Sequence, residues 1–248
     1  MSTGKMTAQS VCAGIIAYHP SSWMLENISQ VLCQVQGLVV VDNGFRVEEL
    51  DPLRAKQQSL GFQVIENGEN RGIAEALNQR VQWAKSQGYP WVILFDQDSR
   101  ITDGFVVQMF AAWESHPDRE RVGSVHPRYA DPETGIEAPV PRASDGSPVL
   151  PMTSGALTPV WIFDRIGWFA SEYFIDLVDR EYCFRIRAAG FVVADSRHAR
   201  LLHAAGHPAR TTILGRTFHP SHHSAIRRYY LSRNFIAFYR EYLFYFLD

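Results

Sequence analysis

The chain has little of what marks several whole classes of protein. Its 248 residues hold only three cysteines, Cys12, Cys33 and Cys183, with no Cys-x-x-Cys spacing and one left over from any pairing. That excludes a disulfide framework or a thiolate zinc site and points to reduced thiols in a cytoplasmic setting. Neither sign of charge is in excess: 24 Lys and Arg stand against 26 Asp and Glu, a net charge of −2. No bulk field draws such a chain to nucleic acid, so an anionic ligand must be held by a local site. Long hydrophobic runs are missing as well. The first, Val11–Tyr18, stops at His19-Pro20 and is too short to span a bilayer. There is no internal repeat and no low-complexity tract.

What is present is an ordinary globular composition, 46% apolar, with a strong α/β rhythm in the first half. Apolar runs at Val11–Tyr18, Leu38–Val41, Phe62–Glu66 and Trp91–Phe95 read as buried strands. Helical patterns at Trp23–Val35, Glu48–Leu60, Gly72–Gly88 and Asp103–Ser115 separate and follow them. The third carries Ala74, Leu77, Val81 and Ala84 on one stripe. Short turns between such elements mean right-handed crossovers and a parallel sheet, whose ligands lie beyond the carboxyl ends of the strands. The polar loops Tyr18-His19, Asp42-Asn43, Asn67–Gly72 and Asp96–Ser99 all fall at that edge.

The second half is less regular. Pro127–Pro151 holds six of the thirteen prolines and reads as a long irregular loop. A helix is expected at about Arg180–Ala189, a strand at Phe191–Ala194, and a final helix rich in Arg and aromatics from Ser224 onward. Six of the nine histidines lie in His198–His223. The chain stops on an apolar stretch, Tyr242–Leu247, as a truncated chain would.

Several groups carry chemistry. In Asp96-Gln97-Asp98, directly after a strand, one carboxylate can accept from a ribose hydroxyl while the other holds a hard divalent cation, Mg²⁺ or Mn²⁺. Asn70-Arg71-Gly72, with Asn78 eight residues beyond Asn70, sits at a strand-to-helix turn, where Gly72 permits close backbone approach and the helix N-terminus favours phosphate or sugar oxygens. Helix capping alone would also explain Asn70 and Gly72. Sugar transfer needs a carboxylate near the donor to take a hydroxyl proton. Asp176, Asp179 and Glu181 are the candidates, although Asp179 could equally cap the helix after it and Glu181–Arg185 could be a simple i, i+4 ion pair. His203 could complete a metal site begun by Asp98, or be structural.

Taken together these residues resemble glycosyltransferase family 2, inverting enzymes of the GT-A fold, and within it the bacterial rhamnosyltransferases. The resemblance is carried by Val39-Val40-Val41-Asp42-Asn43-Gly44, Asn70-Arg71-Gly72-Ile73-Ala74 with Ala76-Leu77-Asn78, and Leu94-Phe95-Asp96-Gln97-Asp98-Ser99. Further on come Thr153-Ser154-Gly155, Ile175 through Arg185, and His222-His223-Ser224 through Arg233-Asn234. It implies one GT-A domain: a Rossmann-like, mostly parallel sheet flanked by helices, with a nucleotide-binding half (1–126), an acceptor and catalytic half (127–223) and a C-terminal helix (224–248).

The resemblance also implies roles. Asp42 and the backbone of Ala17 and Tyr18 would contact the nucleobase, Asp96 the ribose and Asp98 the metal. His203 would complete the metal or diphosphate site, and Asp179 would be the base. Asn70, Gly72, Asn78, Gln97, Ser154, Gly155, Arg185 and Arg227 are the other expected donor contacts. The family often has a small or polar residue after Asn43-Gly44, where this chain has Phe45.

The reaction so implied moves a sugar, L-rhamnose favoured, from a nucleoside diphosphate donor such as dTDP-β-L-rhamnose to a saccharide or lipid-linked saccharide. A nucleotidyltransferase would share the sheet pattern but needs a Gly-rich basic loop after the first strand, where this chain reads Tyr18-His19-Pro20. A binding module that has lost its chemistry is the non-enzyme alternative. The Arg and aromatic residues of the last helix suit either peripheral contact with the inner face of a membrane or packing on the domain or a second copy.

Overall fold

The computed structural model describes residues 11–19, 22–143, 146–149, 151–203, 211–213, 216–218 and 224–243. His222, His223 and the stretch from Phe244 onward, singled out in the sequence, lie outside the described residues. The first half follows the expected alternation. Strands β1 (Val11–Ala17), β2 (Gly37–Asp42), β3 (Gln63–Glu66) and β4 (Trp91–Asp96) alternate with helices α1 (Ser22–Leu32), α2 (Val47–Leu60) and α3 (Ile73–Ser86). All four strands are parallel, in the spatial order β3-β2-β1-β4.

Every residue of β1 and β2 is buried, because helices cover both faces of the sheet. Alternate side chains feed two cores. Ala13 and Ile15 of β1 pack with Ile28, Leu53, Phe105 and Met109 on one face. Cys12 packs with Leu77, Val81, Tyr182 and Phe238 on the other.

Beyond β4 lie β5 (Ser99–Ile101), α4 (Phe105–Glu114), β6 (Val122–Ala130), β7 (Leu157–Pro159), α5 (Ile162–Ile166), α6 (Val178–Ala188), β8 (Val192–His203), β9 (Thr211–Ile213), β10 (Arg216–Phe218) and α7 (Ala225–Tyr242). The sheet extends through β7, β6 and β8 to β5, eight strands among the described residues, while β9 and β10 form a separate pair. β7 runs antiparallel to β4 and β6, β8 runs parallel to β6, and β5 runs antiparallel to β8.

Three sequence expectations are corrected. Pro127 lies inside β6, at a register shift against β8 between His126 and Arg128, so the irregular stretch begins only after Ala130. The strand expected to end at Ala194 continues to His203. Helix α6 begins at Val178, so Asp179 stands in its first turn and does not cap it.

Helix α7 buries Asn234, Phe238 and Tyr242 and exposes Ile226, Tyr229, Phe235, Ile236 and Leu243. No helix among the described residues is long and apolar enough to cross a membrane.

One internal contact was not legible in the helical stripe. Arg80 of α3 is fully buried and lies across Gly14 of β1. It donates from Nη1 to the carbonyls of Gly14 (3.1 Å) and Phe95 (2.9 Å) and from Nε to Ala76 (3.1 Å). A Cβ at Gly14 would meet Arg80 Cδ at 2.8 Å and Arg80 Cβ at 2.9 Å. Gly14→Ala is therefore expected to destabilise the fold by about 1–3 kcal/mol through overpacking. In a urea-unfolding cycle its cost should not add to that of Arg80→Ala. Simple additivity would mean that Arg80 does not fill the space above Gly14.

Candidate active site

At the carboxyl end of β4 the chain turns through Gln97 and Asp98 into β5. Ser154 ties this turn down: its Oγ accepts from the Asp96 amide (3.1 Å) and lies 2.7 Å from Ser99 Oγ. Because β5 pairs with the end of β8, Ser99 stands opposite His203. His203 Nδ1 is 3.1 Å from Ser99 Oγ and 3.4 Å from Asp98 Oδ1. Asp96, Asp98 and His203 each offer a ligand atom, and these atoms lie within 4.8 Å of one another.

Two carboxylates and an imidazole suit Mg²⁺ or Mn²⁺. Nδ1 is the ring nitrogen of His203 that faces both Ser99 and Asp98, so the imidazole is oriented toward the acidic turn.

Burial raises the Asp96 carboxyl above its usual range; the Arg80 charge beneath opposes that shift and the Asp98 charge adds to it. Burial also lowers the Arg80 guanidinium, to about 10. Arg80 is thus a cation buried behind the acidic turn, and the sequence reading passed over it. Its signal was a charged residue on the apolar stripe, three residues after Leu77 and four before Ala84.

The loops at the other strand ends form one polar network. Asp42 is 1% exposed; its Oδ1 accepts from the amides of Gly44 (2.8 Å) and Phe45 (2.6 Å), while Oδ2 has no partner among the described residues. Phe45, the departure from the family pattern, is a buried core residue. Its amide bond to Asp42 keeps the loop closed.

Asn43, part of the expected polar edge but given no role of its own from the sequence, bridges to the Asn70 turn. Its Nδ2 donates to Asn70 Oδ1 (3.0 Å) and its Oδ1 accepts from the Arg71 amide (3.1 Å). Asn70 Oδ1 also accepts from the Gly72 amide (2.9 Å). Ala17 is buried and its carbonyl accepts from the Asn43 amide. Gln97 Oε1 accepts from the Tyr18 amide (2.8 Å), linking the β1 and β4 ends. Gly155 takes φ +79°, where a Cβ would strike Pro127 Cγ at 2.7 Å.

Two of the expected donor contacts have side chains engaged inside the protein. Asn78 is buried in α3 and clamps the chain near Phe169: Nδ2 donates to the Phe169 carbonyl (2.9 Å) and Ser171 Oγ (3.0 Å), and Oδ1 accepts from the Phe169 amide (2.9 Å). Arg185 is bound to Glu181 and to the carbonyls of Ile166 and Trp168. Both side chains are taken up by scaffold contacts, because these residues fall on faces of α3 and α6 that pack inward.

Asp179 is half-buried on the wall of a cavity of about 670 Å³, with Asp176, Leu177, Arg180, Pro151, Met152 and α7 around it. Burial pushes its carboxyl up from 3.8 to about 7, the Asp96 charge adds to this, and the Thr153 amide opposes it. Just before it the backbone is strained: Phe174, Asp176 and Leu177 have φ of 59°, 66° and 64°. Left-handed conformations of non-glycine residues cost about 1–3 kcal/mol each. Asp176, another candidate base, is engaged by Arg227 of α7. Glu181 is buried and held by Arg185 and Tyr242.

This architecture is the GT-A glycosyltransferase fold, shared with solved structures at low identity. A mannosyltransferase of Pyrobaculum calidifontis, solved with GDP-Man and Mn²⁺, superposes with a TM-score of 0.61 at 15% identity, over 79% of this chain and 57% of that one. S. aureus TarS (residues 1–349) gives 0.60 at 13% identity, over 77% and 59%. The chain thus spans less than two thirds of either solved structure. The model of Glycosyl transferase family 2 matches residues 12–141, more than half of the chain, and the chain belongs to that family. It is 27% identical over 244 residues to the dTDP-rhamnosyl transferase RfbF of Shigella flexneri, covering 91% of this chain and 78% of that protein.

The raised Asp179 carboxyl has a consequence for stability. The unfolded chain loses this proton near pH 4, whereas the folded chain keeps it to about pH 7, so stability falls as pH rises between the two. Asp179→Asn does not titrate and is expected to be more stable than the parent by about 1–2 kcal/mol at pH 8 and by nothing at pH 4. Chemical denaturation at both pH values measures this; an equal difference at both would show that the carboxyl is not perturbed.

Proposed function

We propose that the chain is an inverting rhamnosyltransferase that takes a nucleoside diphosphate sugar, dTDP-β-L-rhamnose favoured, and glycosylates a saccharide or lipid-linked saccharide hydroxyl. The observation that carries this reading is the meeting of Asp96, Asp98 and His203 at one strand edge, electrostatically coupled to the half-buried Asp179. The likeness to RfbF supports the choice of sugar, and a UDP-hexose donor is the alternative.

In this reading the nucleobase lies over the β1 and β2 ends. Asp42 Oδ2, buried and without a partner among the described residues, is the acceptor suited to a base N–H. Asp96 accepts from the ribose. Asp98 and His203, with Asp96, would hold a divalent cation, which when bound supplies positive charge against the diphosphate.

The acceptor enters through the cavity beside α7, where Leu231, Phe235 and Ile236 form an apolar wall. The ionised Asp179 takes the proton of its hydroxyl. That oxygen forms the new bond to the anomeric carbon, and the bond to the diphosphate oxygen breaks with its electron pair. One displacement inverts the centre, so a β donor gives an α product.

Calorimetry of thymidine and uridine diphosphates, with Mn²⁺ and with chelator, tests the donor side. Binding should need the cation, favour thymidine, and lose its cation dependence in Asp98→Ala. Equal affinity in the presence of chelator would overturn the metal assignment.

On the acceptor side, Asp179→Asn should lower kcat by about 10²-fold or more with donor affinity intact. In the parent enzyme kcat/KM should fall as pH drops below about 7, because the base must be ionised. If Asp176→Asn is the crippled variant instead, the base is misassigned.

A further inference from the structure

The strained segment before Asp179 has its restraint on the C-terminal helix, far along the chain and outside the residues matched by the family model. Asn234 of α7 is fully buried. Its Nδ2, with two hydrogens to donate, lies within hydrogen-bond distance of three carbonyls of one loop, Tyr173 (2.7 Å), Ile175 (2.8 Å) and Asp176 (3.0 Å). Its Oδ1 accepts from Arg233 Nε (3.1 Å) and Nη2 (2.8 Å), which fixes the amide with its donors toward the loop.

Arg233 in turn donates to the Glu172 carbonyl and lies 4.8 Å from the centre of the Tyr230 ring. Tyr230 stacks on Phe174 at 4.7 Å and 15°. Arg227 grips the Asp176 carboxylate with Nε (3.2 Å) and Nη2 (3.0 Å). On its other side Phe174 reaches the donor-edge turn: its carbonyl accepts from the Ile73 amide (2.6 Å), and its ring lies where a Cβ on Gly72 would be.

Apart from the Arg233 bond to the Glu172 carbonyl, these ties from α7 to the loop land on the left-handed residues or their immediate neighbours. None touches Asp179 itself.

We propose that Asn234 and Arg227 are positioning residues: α7 clamps the 173–177 backbone in its left-handed course and thereby sets Asp179 against the acidic turn. This rests on the reading of Asp179 as the base. A backbone that prefers to relax would carry α6's first turn away with it, so the clamp acts on the chemical step and leaves nucleotide binding alone. Arg227 was expected to reach the donor diphosphate; with its carboxylate partner on the loop it serves the acceptor side instead.

The test uses Asn234→Asp, near-isosteric but with its charge facing three carbonyls, and Arg227→Ala, at an exposed site where the fold should survive. Three quantities are read: kcat, nucleotide Kd by calorimetry, and hydrogen exchange of the amides from 173 to 181. Both variants should lower kcat by about tenfold or more, keep Kd within about twofold, and speed exchange in that segment only.

Leu177→Gly, which takes the left-handed conformation without strain, should restore part of the kcat lost in Arg227→Ala. A role of Arg227 as a donor contact would not allow that rescue. The proposal is overturned if kcat falls no more than the folded fraction does, if exchange at 173–181 is unchanged, or if Arg227→Ala raises Kd and spares kcat, which would make it a donor contact. A parent chain with no transferase turnover would instead refute the assignment of Asp179, and the exchange measurements would still decide whether the clamp exists.

Discussion

Three residues of β5, pairing with the far end of β8, bring Ser99 opposite His203 across 104 positions of sequence. That register makes the Asp96-Gln97-Asp98 turn into a three-ligand cluster. A one-residue slip in an antiparallel pair would turn His203 to the other face of the sheet. The turn is held from a second side by Ser154, so β5, β8 and the strand entering at Leu157 fix the acidic edge together. Such bracing suits a site that gathers negative charge, since Asp96, Asp98 and Asp179 would otherwise repel one another.

The fold meets that repulsion with a buried cation. Arg80 offers no hydrogen bond to a carboxylate; its guanidinium is held by three backbone carbonyls beneath Asp96. A buried charge without a paired ion is costly, and here it sits directly under the residues whose ionisation the site requires. Asp179 shares the bias of Asp96: burial and a neighbouring carboxylate charge favour the protonated form of each. The Arg80 charge opposes that bias at Asp96, and the backbone amide of Thr153 opposes it at Asp179.

Much of the first half was legible. The runs of β1, β2 and β4 are apolar because both faces are covered, and parallel topology follows from helices of suitable length between them. The placement of Asp42, Asn70 and Asp96 at one edge needed only that topology. The internal contacts of Asn78 and Arg185 were not legible, because a polar residue in a motif reads alike whether it faces a ligand or a neighbouring carbonyl; the face it takes depends on what packs over the helix. Arg80 was passed over for the complementary reason, since its partners are backbone groups that sequence does not display.

The sequence by itself determined the period of each early element, the acidic turn after β4, and the family to which those motifs belong. These depend on local pattern: side-chain alternation, turn chemistry and residue spacing. Tertiary structure alone decided that β8 runs on to His203 and that Asp179 lies within the first turn of α6. It also decided that α7 returns to hold the left-handed segment before Asp179. Each of these depends on contacts between residues tens of positions apart, such as Asn234 with Tyr173 or Ser99 with His203. The energy of such contacts comes from burial and from pairing polar groups away from water, and neither exists until the chain has closed on itself.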